Sequence, residues 1–572
     1  MVGTRPVFAA KINDQDVRFI LDSGAFWSMI SGAAAEEYKL KTHLAPYGLV
    51  VKGVGGTTTT PSVATVKSFN LAGISLSNLE FLVGGNEAGS GTVGVLGQNF
   101  LERFDVEYDL ANGMIRLVKD ENCGNAMLAY WLKPHDPYSV MTISRTTPVE
   151  PHTAGSAYIN GIKIHVIFDT GAAKSILSLK SAARAGVNLD SPGVIDLGYA
   201  WGVGRGMVKS YSAPFASFKF GDEGEEIQHT RLRIADIELG AIDMLIGADF
   251  FLSHRIFVGN SQRKLYFTYN GGPVFNLSSS PSTQPSSDTN AIAATEPKHE
   301  NSDSNKESNK EGDQPADAAA LARRGAASAG RRDFEHAIAD LTRATDLEPT
   351  NPEYFYQRGR VYWEKRDRAL AMADFNRVLE LRPDHVFALM SRAELRIAAK
   401  DFPGAIADLN SVDKLAAKPD NVRLEMAHAY DAADSLVAAI AQYDLWIQSH
   451  REDVQLAFAL NGRCWDRAML GRDLRDALAD CNKAVRLSVK GANAGILDSR
   501  GFVQLRLENY DKAIGDYDAS LRLTPNNAWS LYGRGIAKIR KNDRAAGEAD
   551  IANAVKIAPK IAEQFEARGV TP

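Results

Sequence analysis

Two acidic tripeptides, Asp22-Ser23-Gly24 and Asp169-Thr170-Gly171, each follow directly on an apolar run, Phe19-Ile20-Leu21 and Val166-Ile167-Phe168. A carboxylate needs a special setting to serve as a hydrolytic base, and a turn at the end of a buried strand supplies one. Gly24 and Gly171 permit a tight turn and close backbone approach, while the Ser23 and Thr170 hydroxyls can hydrogen-bond across to an opposing turn. Two carboxyls brought together cannot both ionise cheaply, so they share one proton and titrate as a unit. One can then take a proton from water as it attacks a carbonyl, while its protonated partner supports the oxygen that gains charge. This chemistry requires neither metal nor cofactor. The sequence does not say which of Asp22 and Asp169 holds the proton.

One such tripeptide means little, because Asp-Ser-Gly and Asp-Thr-Gly are common turn sequences. Two at matched positions of a duplication mean more, and a duplication surrounds them. Ile12-Asn13 through Ala25 returns as Ile159-Asn160 through Ala172, and Gly53-Val54-Gly55 matches Gly202-Val203-Gly204. Phe69 matches Phe218, and Val95-Leu96-Gly97-Gln98-Asn99-Phe100 matches Leu245-Ile246-Gly247-Ala248-Asp249-Phe250. Short runs rich in Gly, Val, Ile and Phe, broken by turn residues, predict strands in both copies. The expected organisation is two β-domains at 1–120 and 151–275, joined by a connector at 121–150.

Residues 276–316 are rich in Ser, Asn and Asp with almost nothing apolar, which predicts a disordered linker. Beyond it, residues 317–565 repeat with a period of about 34 residues, the length of a tetratricopeptide helix pair. Gly325, Ala337, Leu341, Ala344 and Pro349 recur as Gly359, Ala371, Phe375, Val378 and Pro383, and later as Gly501, Ala513, Tyr517, Ser520 and Pro525. The small residues let paired helices approach closely, and the proline ends the second helix. Six or seven units are expected, ending after Pro559.

The pattern Asp-Ser/Thr-Gly-Ala-x-x-Ser, a later Gly-rich hairpin and an apolar-apolar-Gly motif resemble the retroviral-type (retropepsin-like) aspartic proteases over roughly residues 1–270. The resemblance implies a multidomain chain: two all-β acid-protease barrels forming a pseudo-dimer, followed by an all-α solenoid of tetratricopeptide (TPR) repeats. It implies that Asp22 and Asp169 are the catalytic pair, with Ser23, Gly24, Thr170 and Gly171 supporting their turns. Leu96-Gly97 and Ile246-Gly247 are then strands crossing beneath those turns. The segments around Gly53, Gly55, Trp201, Gly202 and Gly204 are flap candidates. Family enzymes usually dimerise, and here the duplication makes the catalytic unit a monomeric pseudo-dimer. The family arginine after the glycine of the later motif is replaced by Gln98 and Ala248, so apolar packing and the connector are expected to hold the halves together. Resemblance to tetratricopeptide proteins implies a peptide or protein partner in the helical groove.

Other features are weighed against these. Trp27, Tyr199 and Trp201 lie near the motifs and line either the cleft or the core. The glycine-rich stretches lack Gly-Lys-Ser/Thr and suit hairpin turns better than phosphate loops. His165 and His254 show no metal-ligand spacing and read as structural. Three cysteines, Cys123, Cys464 and Cys481, are too few and too scattered for a disulfide framework, and the last two are expected to fill small core positions. With a net charge of -5, the chain offers no broad basic surface for nucleic acid. No apolar run is long enough to span a bilayer. The compartment stays open: cytoplasmic as written, exported or periplasmic if a leader is missing. The leading expectation is an aspartic endopeptidase acting on peptide or protein substrates, with repeats that recruit substrate or a partner through a flexible tether. The rival is a catalytically silent adaptor built on the same folds.

Overall fold

The computed structural model describes residues 6–45, 52–53, 56–57, 62–84, 92–119, 126–133, 136–144, 153–201, 207–221, 226–237, 242–270 and 274–275, and then 317–572 apart from 418–419, 421, 452, 454 and 489–492. The stretch read as a linker, 276–316, and Cys123 lie outside the described residues.

The first half contains β1 (Val7–Ile12), β2 (Gln15–Leu21), β3 (Met29–Ile30), β4 (Lys41–Leu44), β5 (Lys52–Gly53), β6 (Gly56–Thr57), β7 (Ser62–Leu71), β8 (Ile74–Val83) and β9 (Gly94–Leu96). Two short helices, α1 (Gly32–Glu37) and α2 (Gln98–Leu101), join them, and β10 (Asp105–Asp109) and β11 (Met114–Val118) follow. After β12 (Ser139–Thr142), the second half repeats the plan with β13 (Ala154–Ile159), β14 (Ile162–Phe168), β15 (Ile176–Ser178), β16 (Ile195–Trp201), β17 (Met207–Phe220), β18 (Glu226–Ala235) and β19 (Met244–Ile246). Its short helices are α3 (Leu179–Arg184) and α4 (Ala248–Phe251), and it ends in β20 (His254–Gly259) and β21 (Lys264–Tyr269).

Six strands close each half into a mixed barrel. The orders are β1-β2-β9-β3-β8-β7, with β7 returning to β1, and β13-β14-β19-β15-β18-β17, with β17 returning to β13. The strand that leads to each acidic turn starts in a two-residue hairpin. Its turn residues, Asn13-Asp14 and Asn160-Gly161, all have positive φ, as the right-handed twist of paired strands demands. Burial then climbs along β14 until Val166, Ile167 and Phe168 are all enclosed. Its two faces pack into different clusters, Val166 and Phe168 into the main core and Ile167 against Ile176 and Leu245, while β13 and β19 pair with its edges. Aromatic rings fill the cores. Phe19 stacks on Phe81 at 5.5 Å in the first barrel, and Phe220 lies 4.7 Å from Phe250 in the second.

The halves are not merely tethered. One five-stranded sheet runs β11-β10-β20-β21-β12, drawing two strands from each half and a fifth from the connector. Within it, Glu107 is fully buried and meets Arg116 of its own half at 2.6 Å, Arg255 of the other half at 2.7 Å and the Tyr130 hydroxyl at 2.6 Å. One core cluster also includes buried residues of both halves, the connector supplies β12 to the shared sheet, and the buried ion network joins them.

The helical part comprises α5 (Ala318–Gly330), α6 (Phe334–Leu347), α7 (Pro352–Glu364), α8 (Arg368–Leu381), α9 (Val386–Ala398), α10 (Phe402–Leu415), α11 (Val422–Ala432), α12 (Leu436–Ser449), α13 (Leu456–Leu470), α14 (Leu474–Leu487), α15 (Ala494–Arg506), α16 (Tyr510–Leu523), α17 (Ala528–Arg540), α18 (Arg544–Ile557) and α19 (Ile561–Glu566). They form seven pairs, α5/α6 through α17/α18, and one short closing helix. The recurring glycine is needed for close approach: a β-carbon at Gly359 would fall 2.8 Å from the Phe375 ring. A ladder of arginines ties the pairs together. Arg358, Arg392 and Arg534 each grip an aspartate in the next helix, Asp374, Asp408 and Asp550, with two hydrogen bonds. The same guanidinium groups also reach back to Thr342, Asn376 and Asp518 of the preceding pair.

Two further expectations change. Cys464 and Cys481 are fully buried as foreseen, but they are bonded to each other, because α13 and α14 bring their Cα atoms to 5.7 Å. The array also meets the barrels directly. Ala327 of α5 belongs to the barrel core cluster, and Gly113 packs so closely on α5 that a β-carbon there would lie 2.8 Å from Arg323 Cβ. Among the described residues, no helix is long and apolar enough to cross a membrane.

Candidate active site

Each acidic turn hangs from the end of one strand and is tied to its parallel neighbour. Asp22 N–H donates to Leu96 O at 3.0 Å, and Asp169 N–H donates to Ile246 O at 2.8 Å. The apolar-apolar-Gly motifs thus lie beneath the turns, as the resemblance implied. Gly97 and Gly247 must be glycine there, since a β-carbon would fall 2.7 Å from Ala25 O or 2.5 Å from the Lys174 carbonyl carbon. Each carboxyl accepts from its own turn. Asp22 Oδ1 takes the N–H groups of Gly24 and Ala25 at 3.0 and 2.9 Å, and Asp169 Oδ1 takes those of Gly171 and Ala172, both at 2.9 Å.

The two turns face one another. A β-carbon on Gly24 would lie 2.2 Å from Asp169 Cγ, and one on Gly171 would lie 2.2 Å from Asp22 Cγ. Each glycine therefore leaves the space that the opposite carboxyl fills. Ser23 and Thr170 lock the arrangement with four buried hydrogen bonds between the halves. Ser23 Oγ donates to Phe168 O at 2.7 Å and accepts from Thr170 N–H at 3.0 Å. Thr170 Oγ1 donates to Leu21 O at 2.7 Å and accepts from Ser23 N–H at 3.1 Å.

Asp169 keeps part of its surface open but is otherwise densely surrounded by protein. Burial pushes its carboxyl well above the usual carboxylate range, the neighbouring Asp22 charge pushes it further, and the Ala172 and Gly171 N–H groups oppose the rise only in part. A pair so placed holds a proton at pH values where isolated aspartates have lost theirs.

Gln98 is a residue whose role the sequence did not reveal. Buried where the resemblance noted only a missing arginine, its amide donates to Ser23 O at 2.7 Å and to Thr153 Oγ1 of the other half at 3.0 Å. Below the turns the halves are matched. Ser28 Oγ donates to Asn99 Oδ1 at 2.9 Å and accepts from Gly97 N–H, and Ser175 Oγ donates to Asp249 Oδ1 at 2.7 Å and accepts from Gly247 N–H. His254 is structural: it stacks on Phe250 at 3.9 Å, and burial holds its imidazole down at about 4. His165 is exposed beside Asp243.

Of the flap candidates, Gly53 pairs with Gly56 in the small β5–β6 hairpin, and Trp201 ends β16 opposite Met207. Gly55, Gly202 and Gly204 lie outside the described residues, as do the side chains of Tyr199 and Trp201. Trp27 is half-buried and packs beside Met29 and Val95. Among the described residues, no group of three or more His, Cys, Asp or Glu is placed to hold a metal ion.

Comparison with known proteins gives the class. Residues 8–100, which include the first acidic turn, match the aspartyl protease family, and residues 352–385 match the tetratricopeptide repeat. The chain carries an aspartyl protease family domain followed by tetratricopeptide repeats. No curated protein matches it. Among solved structures, a tetratricopeptide repeat protein from Parabacteroides merdae ATCC 43184 is 20% identical, covering 41% of this chain and 86% of its own at a TM-score of 0.28. YrrB, described as a TPR protein with an unusual peptide-binding site, is 13% identical, covering 40% of this chain and 98% of its own at a TM-score of 0.23.

Proposed function

We propose that the two barrels form one aspartic endopeptidase, in which Asp22 and Asp169 activate water against a peptide carbonyl. In the same reading, the repeat array recruits substrate or a partner protein. The catalytic part is carried by one observation: each turn glycine leaves the space that the opposite carboxyl occupies, on both sides of the pseudo-twofold axis. Carboxyls held face to face in this way keep one proton and one negative charge between them.

The steps follow from that charge state. The ionised carboxylate takes a proton from water as the oxygen attacks the carbonyl carbon, and the protonated partner donates a hydrogen bond to the oxygen that becomes negative. Collapse of the tetrahedral intermediate passes a proton to the departing nitrogen and breaks the C–N bond. The pair returns to its singly protonated state. The N–H groups of Gly24, Ala25, Gly171 and Ala172 fix one oxygen of each carboxyl, so the proton is exchanged at the other.

The test is cleavage of a diverse peptide mixture across acidic to neutral pH, with products read by mass spectrometry. Asp22→Asn and Asp169→Asn are each expected to lower cleavage by at least about a thousandfold while the fold is retained. Activity per molecule should stay constant on dilution, because both carboxyls belong to one chain. Equal cleavage by wild type and either variant, or none by wild type at any pH, overturns the proposal.

A further inference from the structure

Past α18 the chain abandons the helix-pair rhythm. Residues 561–572 instead cross the face lined by the first helix of each late pair, where α13, α15, α17 and α19 touch in succession. Phe565 is fully buried on that face, its ring 4.5 Å from Trp529, 4.7 Å from Tyr532 and 5.6 Å from Phe502. Three residues on, Arg568 reaches back to the turn between α11 and α12, where its guanidinium meets Asp434 at 2.5 Å. The Arg568 carbonyl oxygen accepts from Arg506 at 3.0 Å, and the Thr571 carbonyl oxygen accepts from Arg540 at 2.9 Å. Nearby, burial raises the carboxyls of Asp431 and the fully buried Asp466, and the Arg568 charge acts on Asp431.

These are the contacts a bound peptide makes: an apolar anchor in an aromatic pocket, a cation over acidic groups, and backbone carbonyls held by arginines. We propose that this face is a peptide-binding site occupied by its own chain. The external ligand is a peptide with a large apolar residue followed three places later by arginine or lysine. Such a peptide displaces 561–572. The charge of the site sets the choice, since removing Arg568 leaves the exposed Asp434 carboxylate without its cation, and an acidic peptide would be repelled. Release can begin at the Arg568 end, because the Asp434 side of that ion pair is open to solvent and the pair contributes modestly. The segment has the advantage of attachment, with an effective concentration of roughly millimolar, so an external peptide must bind tightly or be part of a substrate held elsewhere on the molecule. The inference builds on recruitment by the array, but its test reads binding, so a failure of cleavage leaves it standing.

The probe is a fluorescent peptide with the sequence of residues 559–572, titrated by anisotropy into full-length protein. The Phe565→Ala/Arg568→Ala variant is expected to bind it at least about tenfold more tightly than wild type does. A probe with both positions changed to alanine should bind neither protein. Equal affinity for the two proteins, or indifference to those probe positions, overturns the proposal. Because the double substitution removes a buried anchor and can loosen the last pair, hydrogen exchange on wild type provides a second measurement. Excess probe should raise exchange across 561–570 while α17 stays protected. A segment that opens only together with α17, or that ignores the probe, is a permanent cap and refutes the displacement.

Discussion

Thr170→Val tests whether the crossed hydroxyls hold the two halves in register. Valine keeps the shape of threonine but loses Oγ1, which donates to Leu21 O at 2.7 Å and accepts from Ser23 N–H at 3.1 Å. Both groups lie beside a residue with no exposed surface, so water cannot replace the lost partner. A buried donor or acceptor left unpaired costs about 1–3 kcal/mol, so two cost about 2–6 kcal/mol. Thr170→Ser is the control: it keeps both hydrogen bonds and loses one methyl, worth about 1 kcal/mol. The assay is hydrogen exchange of β2 and β14 in the full-length chain, which reads local opening without requiring the whole molecule to unfold in one step. A loss of ~2 kcal/mol raises exchange roughly thirtyfold. Cleavage should fall in parallel for valine and stay near wild type for serine, because the same bonds set the distance between the carboxyls. The reasoning is refuted if serine and valine cost the same, or if valine raises exchange only in β14 and leaves β2 unchanged.

Four other perturbations probe different layers. Arg255→Met leaves the fully buried Glu107 with only Arg116 and Tyr130, and should cost about 3 kcal/mol, read as faster exchange in β10 and β20. Arg392→Met strips two hydrogen bonds from Asp408, whose side chain is 4% exposed but keeps Arg396 at 2.6 Å, and should cost about 1.5–3 kcal/mol by urea titration of the helical transition. By contrast, Arg377→Met breaks the surface pair with Glu380 and should cost less than about 1 kcal/mol. Burial pushes the Asp466 carboxyl from its ordinary 3.8 up to about 9, so folding favours its protonated form. Its contribution is complete below the lower value and is lost as pH rises through the higher one. Array stability should therefore decline between about pH 4 and about pH 9, and Asp466→Asn should flatten that slope in thermal melts.

The parts of the site that were legible in the sequence depend on local rules that also repeat. An apolar strand, an acidic turn and a required glycine can be read at Asp22 and again at Asp169, and the repetition removes most of the ambiguity. The helical array was legible because its glycines and alanines mark where helices must touch. The arginine ladder carried the same kind of signal, since Arg358-Gly359 and Arg500-Gly501 stand the same distance before Asp374 and Asp516. What stayed hidden depends on contacts between distant segments. Glu107 sits in Asp-Val-Glu-Tyr-Asp, which reads as an exposed strand until β20 covers it and supplies Arg255. Gln98 looked like a lost arginine because its second partner, Thr153, belongs to the other half. The Cys464–Cys481 bond depends on the facing geometry of α13 and α14, which small buried residues also satisfy.

A symmetric dimer must place the same residue on both sides of its axis, whereas a duplicated chain can let the sides diverge. Here the divergence lies directly beside the acidic turns. Asn99 and Asp249 accept the same hydrogen bonds from Ser28 and Ser175, but the amide does so without charge while the carboxylate brings one into a buried site. Burial raises Asp249 and lowers the nearby Lys174, and their mutual attraction opposes both shifts. In the first half, Trp27 stands where Lys174 stands in the second. Gln98 donates to the Asp22 turn through Ser23 O, and Ala248, at the matching position of the second half, has no side-chain donor to offer the Asp169 turn. Backbone geometry is therefore shared between the turns while the surrounding charges are not. Two carboxyls in unequal fields do not hold a shared proton equally, and a duplicated chain keeps that inequality fixed. A homodimer would have to break its symmetry anew each time substrate binds.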